Sequence, residues 1–252
     1  MDISLRHAMR IGTRTSAVER SPSDSFSSAL HRREKIKARL YDFLVASPLV
    51  AWLSLAVFGL TRQISSEIAH RPRSIQLDLQ IASEILTVAF FGLQIVLFAV
   101  RITPKAKEPG LLPRTVAAIG ANLGLIFLAV PRAQYGFIVT VAGFILLNAG
   151  MLLSMATLAT LGRSFSVFPQ ARKLVTSGPY RIIRHPLYLS EFLATLGAMW
   201  QFKQPWSVVI ALLTILVQIP RMHFEEDILR KTFAEYATYE ARTKWRLIPF
   251  VF

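Results

Sequence analysis

The chain has no cysteine in 252 residues. That excludes disulfides, thiol nucleophiles and thiolate metal sites. Charge is sparse: 17% of residues are Asp, Glu, Lys or Arg, where a soluble globular domain carries about a quarter. Acids are the scarcer sign, 15 against 29 Lys and Arg. No Gly-x-Gly-x-x-Gly or P-loop is present, so a nucleotide-type cofactor needs a site of another kind. Nor does any of the five histidines (His7, His31, His70, His185, His223) form an HxxxH or HExxH pair. His223 and Glu226 could share a helix face, but two such residues are too few to argue for a metal, and none is expected. Near the N-terminus there is no compact apolar core followed by a small-residue cleavage pattern, so no cleaved signal peptide is expected.

What the chain has is apolar residues, 53% of the total, gathered in long blocks. Blocks near 20 residues match a hydrocarbon core roughly 30 Å thick at about 1.5 Å per helical residue. They run at about Phe43–Leu60, Ile81–Val100, Thr115–Val130, Phe137–Ala159, Leu187–Trp200 and Trp206–Ile219. The last two are short and read as a helical hairpin across QFKQP. Pro48 sits near the start of the first block, where a membrane helix tolerates it. Glu84 stands near the entrance of the second and is expected at the interface. Gly143 and Gly150 in the fourth allow close helix contact. The fold class that follows is all-α: a polytopic transmembrane bundle of five to six spans, ending in a short helical hairpin and a cytoplasmic amphipathic helix.

The net charge of +14 sits mainly in the tail and the loops. That suits an anionic phospholipid surface, and no nucleic-acid partner is expected. With the N-terminus inside, segments 1–42, 101–114, 161–186 and 221–252 carry 24 of the 29 Lys and Arg. By the positive-inside rule both termini are then cytoplasmic, in a membrane of the bacterial inner-membrane kind. Residues 1–40 read as a basic flexible tail, with His31–Leu40 suited to a short interfacial helix. Residues 41–136 hold the N-terminal transmembrane helices.

Two polar stretches fall on the cytoplasmic side. One is LGRSFSVFPQARKLVTSGPYRIIRHP, with five basic residues and no acid. In it Arg184-His185-Pro186 stands at a helix entrance, where proline is tolerated and exposed N–H groups favour an anion. The other is HFEEDILRKTFAEYATYEARTKWRLIPFVF. There Ile228, Leu229, Phe233 and Tyr236 recur at near-helical spacing, with Glu225, Glu226 and Asp227 at the expected helix start. Folding block five on block six would bring Gly178, Tyr180, Arg184, His185 and Tyr188 to Glu225, Glu226, Tyr236 and Tyr239.

The set GRSFS…LVTSGPYRIIRHPLYL, a hydrophobic hairpin, then EEDIL…EYATY…IPF resembles the isoprenylcysteine carboxyl methyltransferase and phospholipid methyltransferase superfamily. The resemblance covers about residues 155–252. It implies a membrane enzyme that binds S-adenosylmethionine at its cytoplasmic end, with residues 137–252 as the methyltransferase-like core. Carried over, Gly178, Tyr180, Arg184, His185, Pro186 and Tyr188 fall in the first cofactor motif, and Glu225 and Glu226 form the acidic pair. Arg221, Glu225 and Arg246 take the catalytic roles, and Tyr236 and Tyr239 join the closing, substrate-side segment. The acceptor implied is a membrane lipid or lipidated molecule, methylated at a carboxylate or an amine. Ser190 and Glu191 depart from the family pattern, which often has glycine and then an apolar residue. A carboxylate inside an apolar block is a functional candidate, so Glu191 joins the substrate-side residues. The competing readings are an NADPH-dependent membrane reductase of the sterol or enone type and a non-catalytic transport or assembly protein.

Overall fold

The computed structural model describes residues 22–133 and 135–251. Most of the predicted tail therefore lies outside the described residues. The chain divides into a first unit ending at Tyr41 and a second from Asp42 to the C-terminus. Of the first unit, the described residues are helical, and Ile36 and Leu40 are exposed.

The described residues form seven α-helices: α1 (Pro22–His70), α2 (Ile75–Val100), α3 (Leu111–Asn122), α4 (Phe137–Leu161), α5 (Pro186–Met199), α6 (Trp206–Thr232) and α7 (Tyr236–Arg242). Two 2-residue strands, β1 (Ala106–Lys107) and β2 (Gln170–Ala171), pair antiparallel. Ser74 caps α2 by accepting from the Leu77 N–H, and Pro186 opens α5 where its missing N–H is not needed.

Four helical stretches among the described residues are long and apolar enough to cross a membrane: Ala46–His70, Ile75–Val100, Phe137–Ser164 and Trp206–Thr232. By length and composition these are four candidate spans, where the sequence pattern predicts five to six. α5, with 14 residues, reaches only about 21 Å. Block three splits into α3 and a 3₁₀ stretch, Leu123–Ala129. Many large apolar residues on these helices face outward, among them Leu55, Ile138, Ile145, Leu152 and Leu216. Lipid tails are their natural solvent.

Contacts within the second unit alternate between two ends of the bundle. At one end Glu84 of α2 meets Gln63 of α1 at 2.8 Å and Arg132 at 3.1 Å, and Arg132 bridges to Phe202. Glu84 is buried there among protein groups. At the other end the Arg163 side chain donates to Val100 O at 2.9 Å, and Lys105 N to Ala171 O at 2.7 Å.

The sixth block continues past its predicted end. α6 runs through Pro220 to Thr232, because proline removes one ladder bond without ending a helix whose neighbours support it. Glu225, Glu226 and Asp227 therefore lie in the last third of a long helix. The expected dipole stabilisation at a helix start does not apply to them. Tyr236 and Tyr239 of α7 are buried against Ala171, Ile228 and Phe233, so the terminal helix packs into protein.

α5 packs chiefly on α4, more than on α6 as the hairpin reading expected. Small residues make the approach possible. A Cβ on Gly150 would lie 2.4 Å from Ala194 N, and one on Gly197 2.2 Å from Leu147 N. Ser154 and Ser190, both buried, hydrogen-bond across the same seam at 2.7 Å. Gly150→Ala and Gly197→Ala should each destabilise the protein by about 1–3 kcal/mol in thermal melting, whereas Gly92→Ala, with open space around it, should melt like the wild type.

Candidate functional site

The loop before α5 is shaped by Gly178, whose φ of +58° suits glycine, and a Cβ there would also meet the Thr160 side chain at 3.1 Å. Tyr180 follows, buried, and Tyr239 donates its O–H to the Tyr180 carbonyl at 2.9 Å. The chain then pairs with the C-terminal segment: Arg184 N donates to Trp245 O at 2.9 Å and His185 N to Arg246 O at 2.8 Å. This pairing fixes His185 and Pro186 at the mouth of α5.

Glu226 is the centre of the polar cluster and is fully buried. His185 Nε2 lies 3.0 Å from its Oε1, and Arg184 Nη1 3.1 Å from the same oxygen. Arg230 and Arg246 reach its Oε2 at 2.9 and 3.1 Å. One carboxylate thus joins α6, the loop before α5 and the C-terminal segment. Around it, Glu240 binds both Arg184 and Arg230. The hydrogen bond from Arg230 holds the Glu240 carboxyl below its ordinary range. Burial pushes the Tyr180, Tyr236 and Tyr239 phenols above theirs, so at neutral pH they stay protonated.

Its neighbour Glu225 has a different setting. Tyr188 donates to Glu225 Oε2 at 3.0 Å, and no ion pair to Glu225 is formed among the described residues. Arg221 stacks over the Tyr188 ring at 5.1 Å and donates to Gln218 Oε1 at 2.6 Å. It also lies 3.6 Å from Glu191 Oε2. Its Nε is buried with no hydrogen-bond partner. A Cβ on Gly120 of α3 would come within 2.6 Å of Arg221 Cδ, so that glycine makes room for the guanidinium stem.

These residues form one wall of a cavity of about 360 Å³, within the usual range of small-molecule sites, about 300–1,000 Å³. Tyr180, His185, Tyr188, Glu191, Arg221 and Glu225 line the polar end. Trp52, Phe90, Phe91, Met151 and Leu158, from α1, α2 and α4, make an apolar wall. Of the sequence-predicted residues, Gly178, Arg184, Pro186, Glu226, Tyr236, Tyr239 and Arg246 are not on the lining. They sit behind it and hold it in place. Gln218, Gly120 and the aromatic wall were not anticipated. Gln218 lies one turn before Arg221 on α6, a spacing that puts both on one face; the glycine and the aromatics carry no such signal.

The donor set suits a ligand bearing both charges. Glu225 offers a carboxylate without a cation, and Arg221 offers an unpartnered buried N–H.

Residues 138–236 match the phospholipid methyltransferase family. The cobalt-zinc-cadmium resistance protein CzcN of Cupriavidus metallidurans is 39% identical over 105 residues, which cover 39% of this chain and 47% of that protein. A probable protein-S-isoprenylcysteine O-methyltransferase of Oryza sativa subsp. indica is 28% identical over 128 residues, 48% of this chain and 66% of that protein. Protein-S-isoprenylcysteine O-methyltransferase B of Arabidopsis thaliana is 30% identical over 116 residues, 43% of this chain and 58% of that protein. The chain thus spans about half the length of the first of these relatives.

The two adjacent acids should separate in a melting experiment. Glu226→Ala leaves three arginines and a histidine facing an empty site and should cost about 3–5 kcal/mol; Glu225→Ala, which strands only the Tyr188 hydroxyl, should cost far less.

Proposed function

We propose that this chain, a distant homologue of the isoprenylcysteine carboxyl and phospholipid methyltransferases that reside in membranes, transfers a methyl group from S-adenosylmethionine to a lipid-like acceptor at the cytoplasmic membrane surface. One observation carries this reading: the same cavity is lined by a charged and phenolic set, Tyr180, His185, Tyr188, Glu191, Arg221 and Glu225, and by an aromatic, apolar set, Trp52, Phe90, Phe91, Met151 and Leu158. The first suits a zwitterionic cofactor and the second an acyl or prenyl chain entering between helices.

Bound S-adenosylmethionine would supply a methyl group already activated by its sulfonium. The protein's task is then alignment and exclusion of water. Glu225, oriented by the Tyr188 hydroxyl, would hold the cationic part of the cofactor. Arg221, braced by Gln218 and Glu191, would hold the cofactor's anionic group. Tyr180 and His185 complete the polar wall. Arg184, Glu226 and Arg246 are positioning residues that hold the His185 loop against α6, and Tyr236 and Tyr239 support Tyr180 from behind.

The charge pattern of the loops supports a cytoplasmic site with both termini on the same side. The alternation of contacts between the two ends of the bundle supports six traverses in the second unit, two of them made by short elements. α3 and the 3₁₀ stretch together extend about 32 Å, enough to carry the chain back across. Because the chain lacks cysteine, single introduced thiols report sidedness cleanly. Lys203→Cys should label from outside intact cells, and Ser177→Cys only after permeabilisation; the reverse pattern would overturn this orientation.

Radiolabelled S-adenosylmethionine should bind the purified full chain saturably, and Glu225→Ala and His185→Ala should each weaken binding by about tenfold or more, a loss of about 1.4 kcal/mol. Unchanged affinity in both variants would refute the site. Absence of binding together with tight NADPH binding would replace the function by that of a reductase.

A further inference from the structure

Glu191 is the only carboxylate on α5, and its two oxygens are held unequally. Oε2 accepts from Gln218 Nε2 at 2.6 Å and lies 3.6 Å from Arg221 Nη1. Gln218 is itself fixed, since its Oε1 accepts from Arg221 Nη1. No hydrogen bond or ion pair falls on Glu191 Oε1 among the described residues, and the side chain lines the cavity. One oxygen is anchored and the other is open. That is the geometry of a base held in place for a proton.

The other acids near the cavity suit this task less. Glu226 is surrounded by His185, Arg184, Arg230 and Arg246, and it is off the lining. Glu225 already accepts from Tyr188 and faces the part of the wall suited to the cofactor. The titratable groups on the lining are Tyr180, His185, Tyr188, Glu191, Arg221 and Glu225, and α1 to α4 contribute none. Arg221, the permanent cation among them, is directed at Glu191 and Gln218 through Nη1 and is assigned above to the cofactor's anionic group. An acceptor carboxylate near Glu191 would meet a like charge at close range, which is unfavourable in a partly desolvated site. An ammonium would meet an open carboxylate oxygen.

We infer that Glu191 is a catalytic proton acceptor that sets this chain's acceptor as an amine on a lipid-like molecule. The inference rests on the methyl-transfer reading above. The amine enters as an ammonium and gives one N–H proton to Glu191 Oε1. Its freed lone pair forms the new N–C bond as the sulfonium C–S bond breaks, and that bond's electron pair stays on sulfur. Glu191 then releases the proton to solvent, so charge and atoms balance.

The test uses the full chain in lipid nanodiscs, with dodecylamine and N-acetyl-S-farnesylcysteine as amine and carboxylate probes. The wild type should methylate the amine in preference to the carboxylate. Glu191→Gln should lower kcat for the amine about 100-fold or more, with a far smaller change in S-adenosylmethionine affinity, and Glu191→Asp should recover part of the rate. Independently of turnover, dodecyltrimethylammonium, a fixed cation with no N–H proton, should bind the cofactor-free wild type several-fold more tightly than Glu191→Gln. Wild-type preference for the carboxylate, an undiminished amine rate in Glu191→Gln, or equal binding of the quaternary probe would each overturn the proposal. Failure of the wild type to bind S-adenosylmethionine is a separate result, and it would overturn the methyl-transfer reading itself.

Discussion

A carboxylate removed from water stays ionised only when surrounding groups replace its hydration. Glu226 meets that condition with His185, Arg184, Arg230 and Arg246, all within 3.1 Å. These partners come from the loop before α5, from α6 itself and from the C-terminal segment. Their convergence determines where the loop before α5 and the C-terminal segment can sit. Backbone pairing of residues 184–185 with 245–246 follows from the same closure. Through this centre His185 is held in a fixed relation to α6, the helix that carries Glu225 and Arg221.

The second constraint is steric. α4 and α5 approach until backbone meets backbone, at Gly150 against Ala194 and Gly197 against Leu147. In lipid there is little hydrophobic gain from joining two apolar helices, so small residues and buried hydrogen bonds must hold them. Ser190 fits this scheme. It is small and buried, and its hydroxyl bonds Ser154 across the seam and the Leu187 carbonyl on its own helix. The seam in turn fixes the rotation of α5, which sends Tyr188 and Glu191 into the cavity.

Membrane character and the two polar stretches were legible in the sequence because hydropathy and basic loops are local properties. The RHP entrance and the acidic pair were legible as a set for the same reason. What could not be read was long-range. The end of block six looked like a helix boundary because charge resumes after Pro220, yet α6 continues, since its charged turn is buried by partners from elsewhere. Gly120 was one glycine in an apolar block until Arg221 was found against it. The aromatic wall from α1 and α2 carries no motif, as any apolar membrane helix has such residues. Arg184, Tyr236, Tyr239 and Arg246 stand together with the acidic pair, but on the far side of the wall, a distinction that spacing does not encode.

Glu225 and Glu226 show why that distinction matters. Consecutive residues on an α-helix point about 100° apart, and here that offset gives the two adjacent acids different surroundings. Here Glu226 turns toward the loop and C-terminal segment and is saturated with cations. Glu225 turns toward the cavity, where it takes a single hydroxyl from Tyr188 and no ion pair. The first is spent on structure and is unavailable to a ligand. The second keeps a carboxylate available at the boundary of the lipid-facing bundle, where an isolated charge is unfavourable unless a ligand of opposite charge arrives. Gln218 and Arg221 repeat the arrangement one turn earlier on α6: they hold Glu191 by one oxygen and leave the other open. The charged turn of α6 thus separates groups that close the fold from groups that wait for a ligand, and the rotation of one helix decides which is which.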